Sequence, residues 1–354
     1  MLDDGKFRLW VGGCAHLATD IRHGRKSLED AITDSERGGD EGGPAFDWDI
    51  MLHLGDLKGA QDTPSDEDGE MFLDQIGSAE KHDRQHFYNL LGNHDASGPD
   101  EPTQWWFRTW IDPTGEHTEV SGVDNSARPF PVTGTWERYS FEVGNILFLM
   151  MGDRNDGGPP AGRGPTGGYP AGRVTSETFS WWQEMIESHP DHIIVSAHHH
   201  MLEDTTVASG LGEGVMDDPN TGRRYHGDFE DGAPEGSSFI YFLDDIPHAR
   251  AFESYLEQAP GATDLWLCGH THAFPDDTFG GRAHVEQKWS TWFLNCAAIT
   301  QHHAGKAPLT RLITFEDGSD EIRVQCYLHN SVFAPEGWWE PGERRLKLAK
   351  PADL

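Results

Sequence analysis

The sequence predicts an α/β fold with two sheets and helices outside them. Two features carry this reading: short apolar runs that each break off at a small or polar residue, and capped polar stretches of helical length between them. Phe7 to Val11 runs into Gly12-Gly13, Ile50 to Leu54 into Gly55-Asp56, and Phe87 to Leu91 into Gly92-Asn93, which reads as three strands. Ser27 to Arg37 and Asp68 to Lys81 read as helices opened by Ser or Asp, and Thr103 to Ile111 as an aromatic helix. Trp136 to Val143 and Ile146 to Met151 form a hairpin around Gly144-Asn145. A helix over Thr175 to Ser188 leads to a buried strand, Ile193 to Ala197, and a helix over Ile246 to Gln258 to the strand Leu265 to Cys268. Thr291 to Ala297, Leu309 to Phe315 and Glu321 to Leu328 read as strands of a second sheet.

The 354 residues fit one domain over 1–330 with insertions at about 152–173 and 201–238, followed by an extension, 331–354, packed on it. Both insertions are rich in Gly and polar residues, so each is either a lid or an irregular surface excursion. Lys+Arg 27 against Asp+Glu 60 gives a net charge of −33, which excludes a broad nucleic-acid surface and any stable nucleic-acid binding. The skew, with 8 Lys and 19 Arg, suits either a protein working at high salt or an acidic mesophilic enzyme kept soluble by its charge. Cys14, Cys268, Cys296 and Cys326 are too few and too scattered for a disulfide framework. With no apolar stretch near the ~18 residues of a membrane span and no signal-like start, the expected location is the cytoplasm. Oligomeric state is not legible.

The chemistry gathers at strand ends, where ligands collect in open α/β sheets. In order these carry Cys14-Ala15-His16, Gly55-Asp56, Gly92-Asn93-His94-Asp95, His198-His199-His200 and Gly269-His270-Thr271-His272. Imidazole, carboxylate and amide oxygen together suit Mn²⁺, Fe²⁺ or Zn²⁺ better than the hard ions that prefer all-oxygen shells.

From Leu9 to about Ala298 the chain resembles the calcineurin-like metallophosphoesterases, whose signature is DxH, GD, GNHD/E, H and GHxH, each at a strand end. Four blocks match to the letter. The triple His and the CGHxH sequence place the likeness nearest the cyclic-nucleotide phosphodiesterase-like branch. The resemblance implies a four-layer α/β/β/α sandwich, two divalent transition-metal ions, and hydrolysis of a phosphodiester or phosphomonoester of a small soluble substrate by a hydroxide shared between the ions. It also implies roles. Asp56 would bridge the ions, His16 and His272 would hold the first, and Asn93, His198 and His270 the second. His94 would protonate or stabilise the departing oxygen, oriented by Asp95.

The fourth and first blocks leave choices. Alternation along a strand decides which of the three histidines faces the site. His198 is the expected ligand, with His200 on the same side as a substrate contact and His199 as the alternative ligand. Cys14 stands where the family has Asp: either it binds as a thiolate of equal charge and draws the first site towards softer ions, or it is a buried neutral residue. In the second case the protein is a mononuclear or non-catalytic metal-binding regulator on the same scaffold. Asp20 is a possible substitute carboxylate. Arg154 could fork onto phosphate or hold the Gly-rich loop. His226, His302 and His303 are extra imidazoles, and the Trp pairs at 105/106, 181/182 and 338/339 suit packing better than base stacking.

Overall fold

The computed structural model describes residues 4–59, 62–98, 100–154, 172–210, 216–217, 224–225, 240–242, 250–301 and 307–354. His226, His302 and His303 lie outside them, as do most of the two insertions.

The first sheet contains β1 (Lys6–Gly12), β2 (Ile50–His53), β3 (Phe87–Asn89), β15 (Leu309–Glu316), β16 (Glu321–Leu328), β17 (Gly337–Trp338) and β18 (Arg344–Lys347). Its order is β17-β16-β15-β1-β2-β3, with β18 also on β16. The second contains β4 (Thr133–Gly134), β5 (Arg138–Val143), β6 (Ile146–Met151), β8 (Ile193–His198), β12 (Leu265–Cys268), β13 (Val285–Lys288) and β14 (Thr291–Asn295). It runs β13-β14-β12-β8-β6-β5-β4. Two small ribbons complete the strands: β7 (Gly172–Val174) with β11 (Ile240–Phe242), and β9 (Met216–Asp217) with β10 (Arg224–Tyr225).

This corrects the reading of the three late segments. All are strands, but only β14 joins the second sheet, parallel to β12, whereas β15 and β16 extend the first sheet antiparallel from β1. An apolar run by itself carries no mark of which sheet it enters.

The inner faces meet in one apolar core: Leu9 and Val11, Ile50 and Leu52, Phe148, Val195, Leu267, Leu294 and Ile313 all belong to it. Outside the first sheet lie α1 (Ser27–Arg37) and α2 (Asp66–Ile76), whose Leu28, Ile32, Phe72 and Ile76 pack with Trp10, Met51 and Phe87. Outside the second lie α4 (Ser176–Ser188) and α5 (Ala251–Gln258), whose Trp182, Ile186, Phe252 and Leu256 cover Leu149, Trp266 and Phe293. Four layers result, α/β/β/α. A short α3 (Thr118–Ser121) lies in the connection after β3.

Helix starts explain the shifts from expectation. Ser65 caps α2 by accepting from Asp68 N–H while the Asp68 carboxylate takes the Ser65 N–H at 2.8 Å, so the helix begins two residues before Asp68; it ends at Ile76, with Gly77 as its cap. α1 lacks a side-chain cap of its own; Gln75 of α2 supplies one from outside, accepting from Leu28 N–H and Glu29 N–H at 3.1 and 3.3 Å. The aromatic segment is helical from Trp105, two residues later than expected, and widens into a single broad turn over Phe107–Ile111. β17 and β18 hold the C-terminal residues on β16, and Leu346, Leu348 and Ala352 enter the inter-sheet core.

Candidate metal centre

β1, β2, β8 and β12 all end at one edge of the sandwich, and their following residues are laced together by backbone hydrogen bonds. Cys14 N–H donates to Gly55 O at 2.8 Å, His16 N–H to Asp56 O at 3.1 Å, and Gly269 N–H to His199 O at 2.9 Å. Five residues of this rim that are not glycine have positive φ: Cys14 (50°), His16 (43°), Asp56 (58°), His270 (69°) and His272 (42°). Such conformations cost free energy and cluster where a side chain must be aimed at a site. Glycine is required beside them. A Cβ on Gly92 would lie 2.3 Å from Asp56 N, so the turn carrying Asn93 can close onto Asp56 only without a side chain.

The rim builds two lobes around Asp56. Ligating atoms of Cys14, His16 and His272 lie within 4.8 Å of one another, as do those of His199, His200 and His270. Asp56 Oδ2 is 3.7 Å from His16 Nε2 and 3.0 Å from His199 Nε2, and Oδ1 accepts from His94 N–H at 2.8 Å. The His94 ring stands edge-on to His16, centroids 4.6 Å apart. His94, His270 and His272 are 6 to 7% exposed while His16, Asn93 and His199 are fully buried, so the first three line the open side.

The residues fit metal ions on chemical grounds. His199 Nδ1–H donates to Leu54 O at 2.6 Å, so the lone pair on Nε2 faces the Asp56 carboxylate oxygen. Two acceptors 3.0 Å apart need a cation between them, a proton or a metal. His16 repeats the pattern, with Nδ1 on Lys58 O at 3.1 Å and Nε2 pointing at His272 Nε2, also 3.1 Å away. A ring nitrogen fixed by a carbonyl with its opposite nitrogen turned inward is how proteins orient metal-ligating histidines. The Asn93 amide is buried with neither polar atom hydrogen-bonded. Without a metal, burial weighs against charge on Asp56, but His199 and His94 outweigh it and hold the carboxyl well below its usual range. Burial, then Asp56, pushes the Cys14 thiol well above its usual value.

Of the residues read from sequence, Cys14, His16, Asp56, His94, His270 and His272 come together in these groups. His198 does not join them. Ile193, Val195 and Ala197 point between the sheets, so alternation turns His199, not His198, towards Asp56. The His198 ring, pushed to about 3 by burial, instead accepts the His200 N–H on Nδ1 at 2.9 Å. Asp95 also differs from expectation: its carboxylate accepts the backbone N–H groups of Asp56, Lys58 and Gly92 at 3.0, 2.8 and 2.9 Å. It therefore fastens the Asp56 turn to the Asn93 turn instead of orienting the His94 ring. Burial, then Asp56, raises its pKa to about 7. Arg154 is paired with Glu137 at 3.3 Å, and Asp20 accepts from Thr300 Oγ1 and Gln301 N–H at 2.7 and 2.8 Å. His200 stands 3.6 Å from Asp153, a partner that sequence reasoning passed over.

No family model matches the chain, and no curated protein matches its sequence. Among solved structures, it is similar to Vps29 from Chaetomium thermophilum at 10% identity and TM-score 0.35, covering 98% of this chain and 100% of that one. It is also similar to a D62A mutant of Vps29 from Entamoeba histolytica at 11% identity and TM-score 0.34, covering 97% and 99%. At these values the likeness assigns no function. No helix among the described residues is long and apolar enough to cross a membrane.

Proposed function

We propose that the basin around Asp56 binds two divalent transition-metal ions, Mn²⁺, Fe²⁺ or Zn²⁺, and that the loaded protein hydrolyses a phosphodiester or phosphomonoester of a small soluble substrate. The observation that carries the reading is the pair of lobes meeting at one buried carboxylate, with ring nitrogens turned inward and backed by carbonyls. Cys14, His16 and His272 would hold one ion, Asn93, His199 and His270 the other, and Asp56 both. A divalent ion in such a place supplies Lewis acidity, which offsets phosphate charge and makes water nucleophilic at neutral pH. In a chain of net charge −33, a local cation is what lets an anionic substrate approach.

The protein's own groups do the rest. His94, on the open side, meets the substrate and delivers a proton to the leaving oxygen, while its N–H holds Asp56 Oδ1 in place. Asp95 keeps both turns in register, so its loss would blunt the site without touching substrate.

A second reading retains the metal without turnover: a mononuclear or non-catalytic metal-binding regulator. Cys14 favours it, because a thiol that stays protonated leaves the first lobe with His16, His272 and a shared carboxylate. This reading asks less of the site than catalysis does, and the ligand set alone suffices for it.

Elemental analysis of protein prepared without oxygen, beside turnover of aryl phosphate mono- and diesters with Mn²⁺, Fe²⁺, Zn²⁺ and Co²⁺, separates the two. Two ions with turnover support the hydrolase; one tightly held ion without turnover supports the regulator. Absence of bound metal under every condition contradicts both.

A further inference from the structure

We propose that His200 is itself a metal ligand, held in place by Asp153 as a positioning residue, so that the second lobe is a three-imidazole site. The inference rests on the metal reading of the basin and adds two residues to its ligand side.

His200 is fully buried, and neither ring nitrogen has a hydrogen-bond partner. A buried polar atom left unpaired costs free energy, so a well-placed ring with two such atoms needs a reason. The ring is well placed. It lies against the His270 ring with centroids 4.0 Å apart and meets the His199 ring edge-on at 4.9 Å. Its backbone N–H is tied to His198 Nδ1. From the other side the backbone of Gly172 closes down on it: a Cβ there would sit 2.4 Å from the ring Cγ. Everything around His200 fixes its position, and nothing hydrogen-bonds its ring nitrogens.

Asp153 follows the end of β6 and is fully buried as well. Oδ1 accepts the Arg173 N–H at 2.6 Å, which sets the carboxylate's direction, while Oδ2 has no hydrogen bond and faces His200 Nδ1 at 3.6 Å. The two groups are aligned just beyond hydrogen-bonding distance. If His200 coordinates through Nε2, its proton must sit on Nδ1, the nitrogen that faces Asp153. A carboxylate behind an imidazole in this way fixes the tautomer and raises the basicity of the ligating nitrogen.

Ring nitrogens of His199, His200 and His270 fall within 4.8 Å of one another. With Asp56 and Asn93 they make a nitrogen-rich set suited to Zn²⁺, Co²⁺ or Fe²⁺, distinct from the thiol-bearing lobe. The assignment gives the orphaned nitrogen and the orphaned oxygen one shared explanation.

The test uses full-length protein loaded with Zn²⁺ or Co²⁺, with the affinity of each ion and the number of imidazoles per metal, from X-ray absorption, as readouts. In His200→Gln, which keeps much of the volume, one ion should bind at least about 100-fold more weakly and the imidazole count should fall. In Asp153→Asn the same ion should weaken about 10- to 100-fold, the other ion staying at wild-type affinity. Wild-type affinity for both ions and an unchanged imidazole count in His200→Gln would overturn the proposal. If that variant does not fold, wild-type affinity in Asp153→Asn overturns it equally. A wild-type protein that binds no metal is a separate result, and it removes the reading of the basin itself.

Discussion

Two buried histidine environments among the described residues are built on opposite rules. Beside α1, His329 Nδ1–H donates to Asp34 Oδ2 at 2.8 Å while Nε2 accepts from Thr310 Oγ1 at 2.9 Å, and none of the three residues has positive φ. Both ring nitrogens of His329 have their partners inside the protein, so this environment is finished and ties α1 to the first sheet. Around Asp56 the opposite holds: imidazoles crowd one carboxylate, the Asn93 amide bonds to nothing, and five rim residues that are not glycine sit at positive φ. Burial of histidine by itself says little. What marks a site is burial left incomplete, together with backbone strain that only a further partner would repay.

The largest effect should come from breaking the incomplete cluster at its centre. Asp56→Asn removes the charge both lobes share, so we expect metal content to fall and any phosphoesterase turnover to drop by about 1,000-fold, ~4 kcal/mol in barrier. Elemental analysis beside a turnover assay checks both. Next in size is the finished cluster. His329→Ala strands a buried carboxylate and a buried hydroxyl and should destabilise the fold by about 3 kcal/mol, whether or not metal is present. Denaturant melts with and without a chelator read this directly, and a loss that depends on metal would erase the distinction between the clusters.

Chelation supplies the converse. At metal about 100-fold above Kd, binding adds roughly 2.7 kcal/mol of stability. Wild type and His329→Ala should both lose that increment on chelation, and Asp56→Asn should show none of it. A smaller effect sharpens the chemistry of the first lobe: Cys14→Asp should retain two ions and shift preference towards Mn²⁺ over Zn²⁺, read by competition between the two metals.

The smallest concerns an orphan that has no ligating company. Glu253 accepts the Glu203 N–H on one oxygen and leaves the other unpaired, and burial raises its pKa to about 7. The folded protein therefore holds this proton more tightly than the unfolded chain does. Its contribution is present below about pH 4.5 and is lost as pH rises towards 7. Glu253→Gln should flatten that fall, stabilising the protein at pH 8 by about 1–2 kcal/mol in thermal melts, with metal binding unchanged.

Much of this was legible in the sequence, because strand ends announce themselves where an apolar run stops at Gly-Asp, Gly-Asn-His-Asp or Gly-His-Thr-His. Those words name the residue and place it at a rim, which is enough to gather Asp56, His94, His270 and His272. The fourth block failed for a physical reason. β8 reads Ile-Ile-Val-Ser-Ala-His and is buried on both faces, so no polar and apolar alternation shows which residues face the second layer. The choice between His198 and His199 needed the parity of Ile193, Val195 and Ala197 in the core. Asp95 was found as a residue and misread as a role, because adjacency to His94 in sequence gives no hint that its carboxylate gathers three backbone N–H groups across two turns. Asp153 and His200 lie 47 positions apart, and only the meeting of β6 with β8 brings them together.

The account stands on one claim, that the strained rim around Asp56 is shaped to hold metal. Anomalous diffraction from crystals grown with Mn²⁺ or Zn²⁺ tests it most directly. The prediction is strong anomalous density touching Asp56, with imidazoles of both lobes around it and the same side chains held as they are here. Featureless density at Asp56 with ions scattered over the acidic surface would contradict it.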